Sequence, residues 1–150
     1  SMGGLVASLV TADEPEVRAV VLWNPVADSK GLRDRRYSEV SQQQLDTLGV
    51  VDWGGWALGA KLLEEWGTVD PLAAAARITA PVLVVSGTND ETVPPIESGN
   101  YRSVMERAGR TVALHSVEGA DHCFNTLAWT AEAMAASLAW FGCHLLGRKQ

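Results

Sequence analysis

The sequence is poor in cysteine, in positive charge and in long apolar runs, and each shortage closes off a class of function. Only Cys123 and Cys143 are present in 150 residues, too few for a disulfide framework and without partners at metal-ligand spacing. They read as reduced core thiols, the usual state in a cytosol, so a cytoplasmic location is expected. Twelve Lys and Arg stand against 18 Asp and Glu, for a net charge of −6. Nucleic-acid binding needs a basic face, and none is expected here. The densest basic stretch, Arg33-Asp34-Arg35-Arg36, reads as a solvated loop. The longest apolar stretch, Ala133 to Leu146, is too short for a bilayer and carries His144, so no membrane partner is expected.

What remains is a chain that is 47% hydrophobic and long enough for one domain with a sizeable core. Helix and strand patterns alternate along it. Leu5, Val6, Leu9 and Val10 recur at helical spacing and predict a short helix over 3–12, stopped by Asp13-Glu14-Pro15. VRAVVLW (17–23) is an apolar, β-branched run that suits a strand buried on both faces. PVLVVS (81–86) and TVALHSV (111–117) are two more strands. Between them, Tyr101, Val104, Met105 and Ala108 share one face of a helix that begins at Pro94-Pro95 and stops at Gly109. A long helix follows over 126–146, with Leu127, Ala131, Met134, Leu138, Phe141 and Leu145 as its expected inward stripe. Strands alternating with helices imply an α/β fold with parallel pairing and right-handed crossovers.

The segment 28–70 breaks that rhythm. It is too long for a crossover and carries Trp53, Trp56 and Trp66 among glycine pairs, with a helix expected around Leu58, Leu62 and Leu63. It reads as an insertion within a single domain of residues 1–150. Its tryptophans either cap a pocket or pack the insertion onto the body.

Three short motifs carry candidate chemistry. Ser1-Met2-Gly3-Gly4 matches the second half of the G-x-S-x-G turn that presents an attacking serine. Gly87-Thr88-Asn89-Asp90 follows the second strand, and Gly119-Ala120-Asp121-His122 follows the third. A serine hydroxyl needs a base, a histidine supplies one near neutral pH, and a carboxylate fixes the imidazole tautomer. In a parallel sheet the loops after successive strands share one rim, so Ser1 as nucleophile, His122 as base and Asp90 as acid are expected to converge there. The backbone N–H of Met2 is the expected oxyanion donor. Each motif also has a plain reading. Ser1 would then be an extraneous residue ahead of a starting Met2, Gly87–Asp90 a simple turn and Asp121-His122 a loop pair. His115, inside a strand, is expected to be a satisfied core or surface residue. Asp121-His122-Cys123 lacks the partner cluster of a metal site.

Taken together, SMGGLVASL, VRAVVLWNPVA, APVLVVSGTNDETVP and VEGADHCF resemble the C-terminal half of an α/β-hydrolase-fold serine hydrolase, over nearly the whole chain. Within that group EGADHCFNTLAW is similar to small acyl-ester hydrolases of the cinnamoyl- or feruloyl-esterase and monoacyl-ester lipase kind. The resemblance implies a partial α/β-hydrolase fold, about three parallel strands flanked by helices with a cap-like insertion over 28–70. It implies Ser1, Asp90 and His122 as the triad, a small acyl-ester substrate, and no metal or organic cofactor.

The strands preceding the serine, the glycine two residues before it and the loop carrying a second oxyanion N–H have no counterpart. The chain is therefore expected to be truncated and poorly active by itself. The strand 17–23 should form an uncharged open edge, which invites a homodimer or a domain-swapped dimer. Two classes follow: an esterase-like hydrolase, or a non-catalytic, self-associating α/β interaction domain descended from one.

Overall fold

β-Branched runs form the strands and Ala- and Leu-rich stretches the helices, in the order α1 (Met2–Asp13), β1 (Val20–Trp23), α2 (Ser29–Arg36), α3 (Glu39–Leu48), β2 (Val50–Trp53), β3 (Trp56–Gly59), α4 (Ala60–Trp66), α5 (Pro71–Arg77), β4 (Val82–Gly87), α6 (Pro95–Arg107), β5 (Val112–Val117) and α7 (Leu127–Leu146). The computed structural model describes residues 1–36, 39–53 and 55–147, without the side chains of residues 35, 36, 39, 40 and 53. The ring of Trp53 and the side chains of Arg35 and Arg36, singled out above, therefore lie outside the described residues. The chain forms two compact units, residues 1–27 with 71–150, and residues 28–70.

In the first unit β1, β4 and β5 make a parallel sheet in the order β1-β4-β5. The centre is β4, whose Val82, Leu83, Val84 and Val85 are all buried. Burial of each such side chain contributes about 1.5–3 kcal/mol. Residues at alternate positions face opposite layers. Val20, Leu22, Val82 and Val84 meet Ala75, Ile78, Tyr101 and Met105 under α5 and α6, with Ala7 and Ala12 of α1 packed alongside. Leu83 and Val85 meet Val117, Phe124, Ala133 and Trp140 under α7. This is the α/β architecture expected from the sequence, three parallel strands between helices.

Details of burial differ from the sequence expectation in three places. β1 begins at Val20 rather than 17, and its burial alternates instead of covering both faces, because β1 is an edge strand. In α1 the inward residues are Leu5, Ser8 and Thr11, while Val6 and Val10 are exposed. Ser8 tolerates burial because its Oγ donates to the Leu5 carbonyl at 2.7 Å and meets the Tyr101 hydroxyl at 3.1 Å. In α7 most of the expected stripe faces outward, with Leu127 92% and Leu138 67% exposed, while Phe141 is half-buried. Ala133, Ser137 and Trp140 face the sheet instead. Small residues let this helix approach closely, and Ser137 Oγ accepts a 3.0 Å bond from Trp23 Nε1.

The second unit is an antiparallel β2–β3 hairpin with three helices. Trp66 packs with Val51 and Leu63 in a small core of its own, and Trp56 is exposed. The expected helix occurs over 60–66, with Leu58 in β3 rather than in the helix. Ser29 Oγ donates to the Val69 carbonyl at 3.1 Å, which brings the two ends of this unit together. Lys30 and Arg33 both pair with Asp34 at 2.7 Å and hold its carboxyl below the usual range. Arg33 thus lies in α2, not in the solvated loop expected of it. Among the described residues, no helix is long and apolar enough to cross a membrane.

Candidate active site

Parallel pairing sends the segments after β1, β4 and β5 to the same rim of the sheet. β4 ends at Gly87, where a Cβ would lie 2.4 Å from the Ala120 carbonyl oxygen, so only glycine admits the two loops this close. Asp90 follows in the loop. Its Oδ1 accepts the N–H groups of Thr92 at 2.9 Å and Val93 at 2.8 Å. Its Oδ2 lies 2.7 Å from His122 Nδ1. An ionised carboxylate only accepts, so this contact has Nδ1–H as its donor and leaves Nε2 turned away from Asp90. The Asp90 side chain is wholly buried and that of His122 is 17% exposed.

The histidine loop after β5 is braced from within. Asp121 Oδ1 accepts the N–H groups of Cys123 and Asn125, both at 3.1 Å. The Asn125 N–H is the main reason the Asp121 carboxyl lies below the usual carboxylate range. Phe124 is buried at φ 53° and meets Trp23 edge-to-face, with ring centres 5.3 Å apart. Thr130 Oγ1 donates to the Phe124 carbonyl at 2.7 Å. Cys123 on this loop is exposed and Cys143 half-buried, so the expected pair of core thiols is corrected: a rim turn leaves Cys123 open to solvent. His115 is a surface residue, 3.0 Å from Glu132. Among the described residues, no three His, Cys, Asp or Glu gather as metal ligands.

Ser1 caps α1, and its carbonyl accepts the N–H groups of Gly4 at 2.9 Å and Leu5 at 3.3 Å. Its amino nitrogen donates to the Trp23 carbonyl at 2.7 Å and to the Asn24 carbonyl. Met2 opens the helix, where backbone N–H groups lack an intrahelical acceptor. Gly4, not the motif's Gly3, makes the tight contact: a Cβ on Gly4 would lie 2.9 Å from Pro25 Cβ, whereas one on Gly3 meets nothing.

Asp90 and His122 are thus in direct contact. Among the described residues, no hydrogen bond joins Ser1 Oγ to His122. The link between them runs through Asn24, which directly follows the strand predicted over 17–23 and carries no role in the sequence motifs. Its signal was available: Asn before Pro25 just after an apolar strand, the residue type that best tolerates a left-handed backbone. A polar hollow of about 360 Å³ opens beside His122 and Asp121. An apolar hollow of about 530 Å³ lies beside Ser1, Val21, Trp23 and Phe141.

The model of the prolyl oligopeptidase family, Peptidase_S9, matches residues 1–148. The chain belongs to the prolyl oligopeptidase family. No curated protein matches the sequence significantly. Among solved structures, this family member is similar to Est1E from Butyrivibrio proteoclasticus with ferulic acid bound, at 22% identity and a TM-score of 0.73, over 95% of this chain and 57% of that one. The esterase domain of a Rhodothermus marinus protein has 23% identity and a TM-score of 0.73, over 93% and 57%. The Pyrococcus horikoshii acylaminoacyl peptidase has 16% identity and a TM-score of 0.71, over 99% and 23%. The family member therefore spans 57% of the two esterase structures. The likeness establishes the α/β-hydrolase fold, and the family establishes hydrolase ancestry.

Proposed function

We propose that this chain carries the catalytic residues of a serine acyl hydrolase acting on small acyl esters, with Ser1 as nucleophile, His122 as base and Asp90 as the acid that orients it. The observation that carries this reading is the 2.7 Å contact between His122 Nδ1 and a buried Asp90 whose other oxygen is fixed by two backbone N–H groups. In the reaction, Nε2 takes the Ser1 hydroxyl proton as Oγ bonds to the acyl carbon. Asp90 stabilises the imidazolium, and the Met2 N–H at the helix start faces the developing oxyanion. Collapse expels the alcohol, which takes the proton from Nε2. Water, deprotonated in turn by Nε2, bonds to the acyl carbon; the acid then leaves as the bond to Oγ breaks, and the Nε2 proton returns to Ser1 Oγ.

Activity of the chain alone is expected to be weak. About 1 Å of misplacement costs about 10²-fold in rate, and Ser1 Oγ has no hydrogen bond to His122 among the described residues. The test is hydrolysis of p-nitrophenyl acetate by the full chain and by Ser1→Ala. Turnover that disappears in the variant supports the triad, and equal rates reject it.

A second reading rests on a different observation. β1 is an edge strand of the three-stranded sheet, and Val6 and Val10 of α1 are exposed. This reading makes the chain a non-catalytic α/β domain that pairs with a second copy through β1. Equal rates in the assay above, with a dimer in solution, select it.

A further inference from the structure

We propose that Asn24 is the positioning residue that sets the His122 main chain relative to Ser1 and β4; this rests on the triad reading above. Asn24 is 2% exposed and adopts φ 42°, a left-handed backbone held where β1 leaves the sheet. All its polar groups are engaged. The backbone N–H donates to the Val85 carbonyl at 2.8 Å, and the carbonyl accepts from the Ser1 amino nitrogen. The side-chain Oδ1 accepts the Gly87 N–H at 2.9 Å, and Nδ2 donates to the His122 carbonyl at 2.8 Å. One buried residue therefore touches, through its side-chain amide, the end of the strand that leads to Asp90 and the residue carrying the base, and, through its main-chain carbonyl, the residue proposed as nucleophile.

The geometry separates this role from plain stapling of strands. Oδ1 serves the β1–β4 junction, while Nδ2 serves only the histidine loop. Among the described residues, the two non-glycine positions with positive φ are Asn24 and Phe124, and both border this loop. Strained backbone of this kind persists where surrounding contacts over-determine it, and it gathers at functional sites. Asn24 touches no reacting atom. It acts through His122, by limiting how far the imidazole can move against Asp90 and towards Ser1.

The experiment uses the full chain, Asn24→Gly and Asn24→Asp. Glycine keeps the left-handed backbone and removes both side-chain bonds. Aspartate keeps the acceptor for Gly87 and loses the donor to His122. The readouts are the exchange rate of the downfield His122 Nδ1–H proton by NMR, protection of the Gly87 amide, and kcat and KM on p-nitrophenyl acetate. The expected result is His122 proton exchange about tenfold faster in both variants, the value of one buried hydrogen bond. Gly87 protection should be lost only in the glycine variant, and kcat should fall with KM nearly unchanged. If Asn24→Gly does not fold, Asn24→Asp alone decides the matter. A His122 proton that is visible in the parent and exchanges equally slowly in the folded variants overturns the role of Asn24 and leaves the triad standing. Absence of that proton in the parent removes the Asp90–His122 pairing, and the Asn24 role falls with it.

Discussion

Replacing Asp90 by asparagine tests the electrostatic logic of the site at almost no cost in shape. In the parent, Oδ1 accepts from the Thr92 and Val93 N–H groups and Oδ2 accepts from His122 Nδ1. An asparagine keeps its oxygen on the two backbone donors and turns its NH₂ towards His122. Nδ1 must then become the acceptor, which moves the imidazole proton to Nε2, the atom that should receive the serine proton. In a triad, this wrong tautomer lowers kcat by about 10⁴. Stability should change little, because every buried group keeps a partner. Asp90→Ala differs: it leaves the half-buried Thr92 N–H and the buried Val93 N–H without this acceptor, the buried one at about 1–3 kcal/mol. ¹⁵N NMR distinguishes the tautomers directly, thermal unfolding reads the stability difference, and ester hydrolysis reads the rate. The reasoning is refuted if Asp90→Asn keeps the Nδ1–H tautomer, or if Asn and Ala variants unfold at the same temperature.

Two further outcomes are expected. Gly87→Ala places a methyl 2.4 Å from the Ala120 carbonyl oxygen and 2.9 Å from that of Asp121. It should cost about 1–3 kcal/mol and lower the unfolding midpoint by roughly 2–10 °C, and an unchanged midpoint in calorimetry contradicts the close approach. Finally, Val20 and Asn24 N–H groups point to β4, so by the strand period those of Val21 and Trp23 point outward. Light scattering at micromolar concentration should find association that Val21→Pro weakens, and a monomer in the parent rejects pairing through this edge.

Much of the frame was legible because strands buried in a parallel sheet advertise themselves. Val82–Val85 could hardly be anything but a central strand, and Pro95 and Gly109 bracket α6 as their backbone preferences demand. The site was legible in part, since Asp90 and His122 each follow a strand and parallel pairing makes those loops neighbours. Facing was not legible where a helix is apolar all round. In α7 the bulky stripe is the outward one, and the sheet side is taken by Ala133, Ser137 and Trp140, whose size and hydrogen bonds decide the fit. The same holds for α1, where Ser8 is buried through its bond to Tyr101. Asn24 escaped notice because its role is carried by four bonds to residues distant in sequence. The hairpin of residues 50–59 was missed because its strands are too short to show a period.

The central claim is that the rim of the β1-β4-β5 sheet makes Ser1 a nucleophile through His122. The direct measurement is reaction of the full chain with a fluorophosphonate, followed by mass spectrometry of the peptides. The account predicts one adduct, on Ser1, that disappears in His122→Ala. An unmodified Ser1, or equal modification without the histidine, contradicts it.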